Sequence, residues 1–239
     1  MTYGFLPATK EEFDRSGIGV PDFVYVSGDA YVDHPSFGAA IITRILDAAG
    51  FSVAVLAQPN FRSTEDFMRY GKPRLGFLVS SGNVDSMVAH YTAAKKKRSD
   101  DWYSPGRRAG LRPDRAVIVY TNRIREAYGD IPVIIGGLEA SLRRFAHYDY
   151  WSDKVRRSIL VDSRADILSY GMGENSIRRI AELLARGVPV KKIRDVRGTA
   201  YLCRRGEKLN FDPVRGTREE PEGYDYDELK TSKAAYAAA

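Results

Sequence analysis

The sequence has 239 residues, of which 44% are hydrophobic and 28% charged, so it can bury one sizeable core at the upper size of a single domain. Its net charge of +6 is mild, and a solvated basic surface explains it as well as a nucleic-acid partner does. The single cysteine, Cys203, excludes a disulfide within the chain and any multi-cysteine metal site formed by the chain alone. No N-terminal apolar run has the length of a signal peptide or a membrane span, so we expect a cytoplasmic protein without a membrane partner.

The first predicted element is a short helix near the N-terminus. Thr9 and Glu12 have the spacing of a capping box, in which each side chain accepts a hydrogen bond from the other residue's backbone N–H. We expect this helix to cover one edge of a sheet.

Five short apolar segments, each rich in β-branched residues, predict the strands of that sheet. Each is bounded by turn residues and followed by a helical pattern, as expected for parallel strands that are buried on both faces. The five segments are FVYV (Phe23 to Val26), SVAVL (Ser52 to Leu56), LGFLV (Leu75 to Val79), PVIIGG (Pro132 to Gly137) and ILSY (Ile167 to Tyr170). They predict an α/β fold of the doubly wound, flavodoxin-like class, with about five parallel strands and helices on both faces.

The connections between these strands have helical patterns. One helix is predicted over 37–49, with Pro35 near its start and Gly50 just after its end. A shorter helix, capped by Ser63, is predicted to run to Tyr70. We expect these helices to pack on the faces of the sheet.

The helices after the third and fifth strands have candidate N-caps. Asn83 or Asp85 can open the helix after the third strand, and Asn175 can cap the helix after the fifth, which stops at Gly187. These residue types cap helices because their side chains accept hydrogen bonds from the first free N–H groups.

The segment Ala116 to Tyr120, AVIVY, has the composition of a sixth strand. Asp114 as an N-cap, and apolar residues that continue at helical spacing, favour a helix instead. A parallel step from the third strand to the fourth also needs a crossover connection. We therefore predict a helix here.

Residues 90–113 form a basic excursion that is too long for an ordinary connection. It holds seven Lys or Arg residues against two Asp residues. A solvated loop explains it, and so does an RNA-contacting arm in which Lys95 to Arg98 contact phosphates while Trp102 and Tyr103 stack on bases. Both interpretations remain open at this point.

The composition changes again near residue 196, where Gly, Pro and charged residues dominate until a helical pattern begins near Asp227. We expect an α/β domain over residues 1–195 and a linker over 196–239. That last helical pattern has no cap at Ala239, so we expect the natural polypeptide to continue into another domain.

The segment after the fourth strand carries the densest chemistry of the chain. Gly136 and Gly137 leave bare backbone at the carboxyl end of the strand, where parallel sheets bind ligands. The run that follows, from Glu139 to Arg157, is too polar for a core and too aromatic for ordinary surface. We interpret it as the wall of a site that includes an Arg-rich helix over 143–157.

Five long strings in the sequence resemble the N-terminal region of the YgiQ-type radical SAM proteins, and the match covers nearly the whole chain. The strings are GDAYVDHPSFG (28–38), GNVDSMVAHYTA (82–93), RPDRAVIVYTNRIREAYG (112–129), PVIIGGLEASLRRFAHYDYWSDKVRRSIL (132–160) and SYGMGE (169–174). The resemblance implies a polypeptide at least about twice this length. Its next domain would bind a [4Fe–4S] cluster through C-x3-C-x2-C, a motif this chain lacks, and would cleave S-adenosylmethionine.

The arrangement is also similar to the cobalamin-binding domains that precede many radical SAM cores. Their ligand turns follow the first, third, fourth and last strands, and glycines there let backbone N–H groups approach a large ligand and its phosphate. The cofactor-binding candidates implied by this resemblance are Asp33, His34, Ser36, Gly38, Ser80, Ser81, Gly82, Gly136, Gly137, Glu139, Gly171, Gly173 and Glu174.

The turn after the first strand departs from the pattern of domains that ligate cobalt through histidine. Those domains have Asp-x-His-x-x-Gly, whereas here Asp33 and His34 are adjacent and the gap to Gly38 is longer. The departure argues against ligation of cobalt by His34. We expect no metal site and no catalytic residue within this chain.

Two functional hypotheses follow from the sequence. In the first, the chain is the accessory domain of a radical SAM enzyme, contributes a cofactor or substrate pocket, docks on its own C-terminal catalytic barrel and is inactive alone. In the second, it is an RNA-binding module that uses residues 95–112 and 143–157. No Walker A loop, G-x-S-x-G elbow or HExxH helix is present to support another enzyme class.

Overall fold

The computed structural model describes residues 5–203 and 226–238, which form helices around a central sheet. The strands are β1 (Phe23–Ser27), β2 (Val53–Ala57), β3 (Gly76–Ser80), β4 (Val133–Gly136), β5 (His147–Asp149), β6 (Lys154–Arg156), β7 (Ile167–Ser169) and β8 (Thr199–Ala200). The helices are α1 (Lys10–Arg15), α2 (Gly38–Ala48), α3 (Ser86–His90), α4 (Ala116–Tyr128), α5 (Gly137–Leu142), α6 (Ile159–Ser163), α7 (Glu174–Ala185), α8 (Tyr226–Thr231) and α9 (Lys233–Ala238).

The sheet has the strand order β2-β1-β3-β4-β7-β8. The first five of these strands are parallel, in the flavodoxin-like order, and β8 pairs antiparallel to β7 at the edge. The predicted doubly wound α/β fold with five parallel strands is confirmed. The sequence did not indicate β8, because two residues are too few to show an alternation.

The two faces of the sheet bury separate apolar clusters, as successive side chains of one strand point to opposite faces. Phe23 and Tyr25 of β1 pack in the cluster that holds residues of α2 and α7, whereas Val24 and Val26 pack in the cluster that holds residues of α4. Helices therefore cover both faces, and all five β1 side chains are buried.

The N-terminal segment behaves as its sequence predicts. Thr9 and Glu12 form the capping box at the start of α1. Just before this helix, the carbonyl of Pro7 accepts a hydrogen bond from the N–H of Val55 at 2.8 Å, on the open side of the edge strand β2. The segment therefore covers one edge of the sheet.

Two predicted helix starts are wrong by a short distance. The segment from Ser63 to Tyr70 forms only a 3₁₀ turn over Asp66–Met68, and Ser63 does not cap it. The N-cap of α7 is Gly173 and not Asn175, which lies within the first turn. Asp85 does cap α3, accepting hydrogen bonds from two backbone N–H groups.

The helix predicted over AVIVY is confirmed as α4, but its predicted cap is wrong. Asp114 instead accepts hydrogen bonds from His90 Nδ1 at 2.6 Å and from the Tyr91 hydroxyl at 2.8 Å. The N-cap residue Arg115 has left-handed backbone and gives no side-chain cap. The first N–H of α4 is bound by the distant Ser86 hydroxyl at 3.1 Å.

The Arg-rich helix expected over 143–157 is not present. Helix α5 ends at Leu142, and β5 and β6 then form a small antiparallel hairpin in which Tyr148 lies opposite Val155. At its turn, Asp149 accepts a hydrogen bond from the N–H of Ser152 at 3.2 Å. A short alternation of polar and apolar residues had been interpreted as a helical face.

Strand β8 lies beyond residue 195 and pairs with β7, so the sheet extends into the segment predicted as a linker, and the division into two domains stays a prediction. The helical pattern near Asp227 is confirmed by α8 and α9. Most of the predicted linker, residues 204–225, lies outside the described residues.

One buried arginine fastens the basic excursion to the sheet. The Arg112 side chain is fully buried and donates from Nη1 to Asp29 Oδ1 at 2.7 Å and to the Ser81 carbonyl at 2.8 Å. Its Nη2 donates to both carboxylate oxygens of Asp101, at 2.8 and 2.6 Å. The excursion is therefore joined to the turns after β1 and β3. These two turns are in close contact, because an added Cβ at Gly28 would lie 2.1 Å from the Ser81 carbonyl oxygen.

The two carboxylates differ in their affinity for a proton. Burial raises the pKa of Asp29 to about 6, although the Asn83 N–H and Arg112 oppose this change. Burial acts in the same direction on Asp101, but hydrogen bonds from Arg112 and the Tyr103 N–H outweigh it and lower the pKa of that carboxyl. The difference agrees with the geometry, since Arg112 makes two hydrogen bonds to Asp101 and one to Asp29.

We predict that Arg112→Met lowers the free energy of unfolding by about 3 to 5 kcal/mol, because two buried carboxylates would lose their counter-charge. Urea denaturation of the 239-residue chain measures this change. Arg108→Met, which removes an exposed arginine of the same excursion, should change it by less than about 0.5 kcal/mol. Equal effects of the two substitutions would contradict the structural role of Arg112.

A second prediction concerns pH. The pKa of Asp29 is higher in the folded state than in the unfolded state, so the folded state binds a proton at this carboxyl more tightly. The stability that this proton contributes is lost as the pH rises from about 4 to about 6. The free energy of unfolding, measured by urea denaturation across this range, should fall less steeply in Asp29→Asn than in the unmodified chain. The exposed control Asp130→Asn should keep the original slope. An unchanged slope in Asp29→Asn would show that this carboxyl does not titrate there.

Candidate functional site

A cavity of about 260 Å³ lies at the carboxyl edge of the sheet, at the ends of β1, β3, β4 and β7. It sits beside the switch point between β1 and β3, where the chain connections leave toward opposite faces. The candidate residues from the sequence that line it are Gly38, Ser80, Gly82, Gly136, Gly137, Gly171, Gly173 and Glu174. Their turns, far apart in sequence, therefore meet at one place.

The floor of the cavity is apolar. Tyr25, Leu78 and Ile134 rise from the sheet, and Ile42 and Ile177 come from α2 and α7. Among the described residues that line the cavity, the charged ones are Asp29 and Glu174 and no Lys, Arg or His occurs. The cavity therefore suits a neutral, largely apolar group.

The helices α2 and α7 begin at the mouth of the cavity. Gly38 and Gly173 lie at their N-termini, and neither helix has a side-chain cap for its first N–H groups. Free backbone donors at a helix start favour an anionic group. A ligand with an apolar ring and an anionic group would match both features.

Gly137 is required by the fold itself. Its φ of +80° lies in the left-handed region, and an added Cβ would lie 2.6 Å from the Ser80 Oγ. A Val at this position would therefore strain the turn and press on β3 even without a ligand. Gly137 is therefore explained by the backbone conformation and by the contact with Ser80, independently of any ligand.

The middle of the turn after β1, which holds three of the predicted ligand residues, does not reach the cavity. Asp33 pairs with Arg44, whose Nε lies 3.1 Å from Asp33 Oδ1, and this hydrogen bond lowers the pKa of Asp33. The Nδ1 of His34 accepts a hydrogen bond from the Ser36 N–H at 3.1 Å. Asp33, His34 and Ser36 are all absent from the lining, so the cavity gives no support to their predicted role as cofactor ligands.

Glu139 and Ser81 also lie outside the lining. The fully buried Glu139 side chain accepts hydrogen bonds from the N–H groups of Ser86 at 2.9 Å and Val117 at 3.0 Å, and burial raises its pKa. It thus joins the starts of α3 and α4. Ser81 donates to the Val84 carbonyl at 3.0 Å within its own turn. Both residues have structural roles, and their predicted contacts with a ligand stay predictions.

Sequence reasoning missed Asp29, which lies in the cavity wall and also binds Arg112. Its position two residues after β1 was the available signal, because a polar residue at the carboxyl end of a strand faces this edge. The partner was not recognisable, since Arg112 is 83 residues away in sequence.

An exposed apolar rim lies at the mouth of the cavity. Leu138 and Met172 line the cavity and are 48% and 85% exposed, and the nearby Leu142 and Phe145 are also exposed. Large exposed apolar groups that lie close together mark interaction surfaces. The rim is therefore a candidate docking surface.

Within residues 5–203 and 226–238, no group of three or more His, Cys, Asp or Glu side chains has the arrangement of a metal site. His90 binds Asp114, whereas His147 Nδ1 lies 3.1 Å from the Phe145 carbonyl and burial lowers the pKa of that imidazole. The same residues contain no helix with the length and apolarity needed to cross a membrane.

The sequence of this chain is similar to part of several longer proteins. A UPF0313 protein of Clostridium botulinum (strain 657 / Type Ba4) is 57% identical over 235 residues, which are 98% of this chain and 36% of that protein. A UPF0313 protein of Geobacter sulfurreducens is 53% identical, over 98% of this chain and 38% of its own length. The UPF0313 protein YgiQ of Escherichia coli is 57% identical, over 84% of this chain and 27% of its own. The chain thus spans about a third of the length of these relatives.

A solved structure with a related arrangement is the radical S-adenosylmethionine methyltransferase TsrM from Kitasatospora setae, with cobalamin and a [4Fe-4S] cluster bound. The TM-score is 0.49 at 19% identity, over 78% of this chain and 28% of that protein. No conclusion about ligands follows from a likeness at this level.

The family description Radical SAM N-terminal matches residues 5–239, nearly the same range that the long relatives share with this chain. The resemblance noted in the sequence is thereby confirmed, and the chain belongs to the radical SAM N-terminal family.

Proposed function

We propose that this chain is the accessory domain of a radical SAM enzyme, that its cavity holds part of a cofactor or substrate, and that its apolar rim docks on the catalytic domain. The observation that carries the proposal is the cavity at the carboxyl edge, lined by four glycine-containing turns and open toward the exposed rim. The relatives are long enough to contain such a catalytic domain, since about two thirds of their length lies outside the matched region.

The size of the cavity limits what enters it. Ligand pockets usually measure about 300 to 1,000 Å³, so a cavity of about 260 Å³ takes one ring system and leaves the rest of a large cofactor outside. Cobalamin agrees with this division if an apolar ring enters the cavity and its phosphate lies at the start of α2 or α7. His34 is not in the lining, so the proposal includes no cobalt ligand from this turn.

The residues of this chain do not fit a [4Fe–4S] cluster. A site-differentiated cluster needs three thiolates, and the sequence offers Cys203 alone. Cluster binding and cleavage of S-adenosylmethionine therefore belong, in this proposal, to the remainder of the polypeptide.

We predict that Ala39→Phe weakens ligand binding at least about tenfold, because the larger side chain would occupy space that the cavity now offers to a ring. Hydroxocobalamin binding is followed by absorbance, and binding of S-adenosylmethionine and inorganic phosphate by calorimetry. The matched control is Ala48→Phe, at the exposed far end of the same helix, which should bind like the unmodified chain.

Two results would contradict this assignment. Equal binding by a folded Ala39→Phe variant would place the ligand elsewhere on the chain. Binding of none of the three compounds by the unmodified chain would leave the rim as a docking surface and remove the cofactor part of the proposal.

We also predict that the 239-residue chain retains no iron–sulfur cluster. Anaerobic reconstitution with iron and sulfide, followed by desalting, should leave no [4Fe–4S] absorption band, because a single thiolate cannot hold the cluster. The Cys203→Ser variant should give the same spectrum. A stable cluster at one per chain, lost in Cys203→Ser, would overturn the prediction.

A further inference from the structure

Two segments that are distant in sequence form one continuous surface. The hydroxyl of Tyr150, at the turn of the β5–β6 hairpin, donates to the carbonyl of Ala93, 57 residues earlier, at 2.6 Å. The Lys95 ammonium lies 4.7 Å from the centre of the Tyr150 ring. Next to them, the rings of Tyr91 and Trp151 lie 5.4 Å apart. The tip of the basic excursion thus rests on the hairpin.

The cations of this tip have no counter-charge within the described residues. Lys95, Lys96, Lys97 and Arg98 are all exposed, and no ion pair joins any of them to a residue in 5–203 or 226–238. Four adjacent positive charges repel one another, so they do not stabilise the turn that holds them. Their positive field favours the binding of a polyanion.

The hairpin contributes aromatic rings to this surface. Its arginines are engaged, because Arg156 and Arg157 both pair with Asp162. Tyr150, in contrast, is 47% exposed. We call the surface formed by Tyr91, Lys95, Lys96, Lys97, Tyr150 and Trp151 the aromatic–basic patch.

A second exposed ring lies further along the excursion. Trp102 is 71% exposed, and the Arg107 guanidinium lies 3.7 Å from the centre of its ring. The stacked guanidinium orients the ring and adds another cation beside it. The excursion therefore presents an aromatic face next to positive charge at two places.

We propose that the excursion and its aromatic–basic patch bind single-stranded nucleic acid. The lysines would contact successive phosphates while unpaired bases stack on Tyr150 and Trp102, which is the usual combination in such sites. A duplex hides its base faces, and an acidic peptide has no flat group for the exposed rings. This role is independent of the cavity and extends beyond the accessory function proposed above.

The test uses the 239-residue chain and fluorescence anisotropy with labelled 20-nucleotide probes of one sequence, as single-stranded RNA, single-stranded DNA and duplex RNA. Lys95→Gln/Lys96→Gln/Lys97→Gln should reduce the slope of log K against log[salt] by about 2, since each contact to a single strand contributes about 0.7. Trp102→Ala should weaken single-strand binding by roughly 5- to 150-fold at constant salt. The matched control, Lys72→Gln/Arg186→Gln/Lys192→Gln, removes the same charge from exposed positions elsewhere and should retain the original slope.

Each possible result decides the proposal. Equal slopes for the two triple variants would show that binding follows net charge and would overturn it. Duplex RNA bound as tightly as the single strands would remove the role of the rings. Polyglutamate serves as a further competitor. If it bound more tightly than RNA, and if Trp102→Ala left its affinity unchanged, the surface would be assigned to an acidic protein instead. The relative affinities for RNA and DNA identify which single strand is preferred.

Discussion

The carboxyl edge of this domain depends on one guanidinium that has no contact with water. Arg112 joins the turn after β1, the turn after β3 and the basic excursion through four hydrogen bonds, one to Asp29, one to Ser81 and two to Asp101. Such an arrangement is stable only as a whole, because removal of the arginine leaves like charges buried together. The cavity wall and the excursion are therefore positioned by the same interaction.

A second buried group has the same function on the other side of the cavity. Glu139 accepts hydrogen bonds from the N–H groups of Ser86, the first residue of α3, and Val117, the second residue of α4, so it joins the helix after β4 to the starts of two other helices. Burial raises the pKa of its carboxyl, whereas the hydrogen bonds from Ser86 and Val117 and, at longer range, the charge of Arg112 favour the ionised form. Buried hydrogen bonds therefore connect the elements around a small, largely apolar space at this edge.

The sequence predicted those features whose cause is local. Strands β1 to β4 and β7 follow from short apolar runs, and α4 follows from spacing, because both patterns are complete within a dozen residues. Asp114 was assigned to the wrong partner because the actual caps of α4, Ser86 and Glu139, lie 30 and 22 residues away. Likewise, the glycine turns of the cavity were located by strand ends, whereas Asp33, His34 and Ser36 were placed there by resemblance and lie outside its lining.

The short segment before α1 has a consequence for handling the protein. Strand β2 lies at the sheet edge and is almost completely buried, and the Pro7 carbonyl binds one of its outward N–H groups. Unpaired edge strands template the addition of strands from other molecules. A truncation that removes these first residues would uncover an apolar edge and favour self-association, so variants of this domain should begin upstream of Pro7.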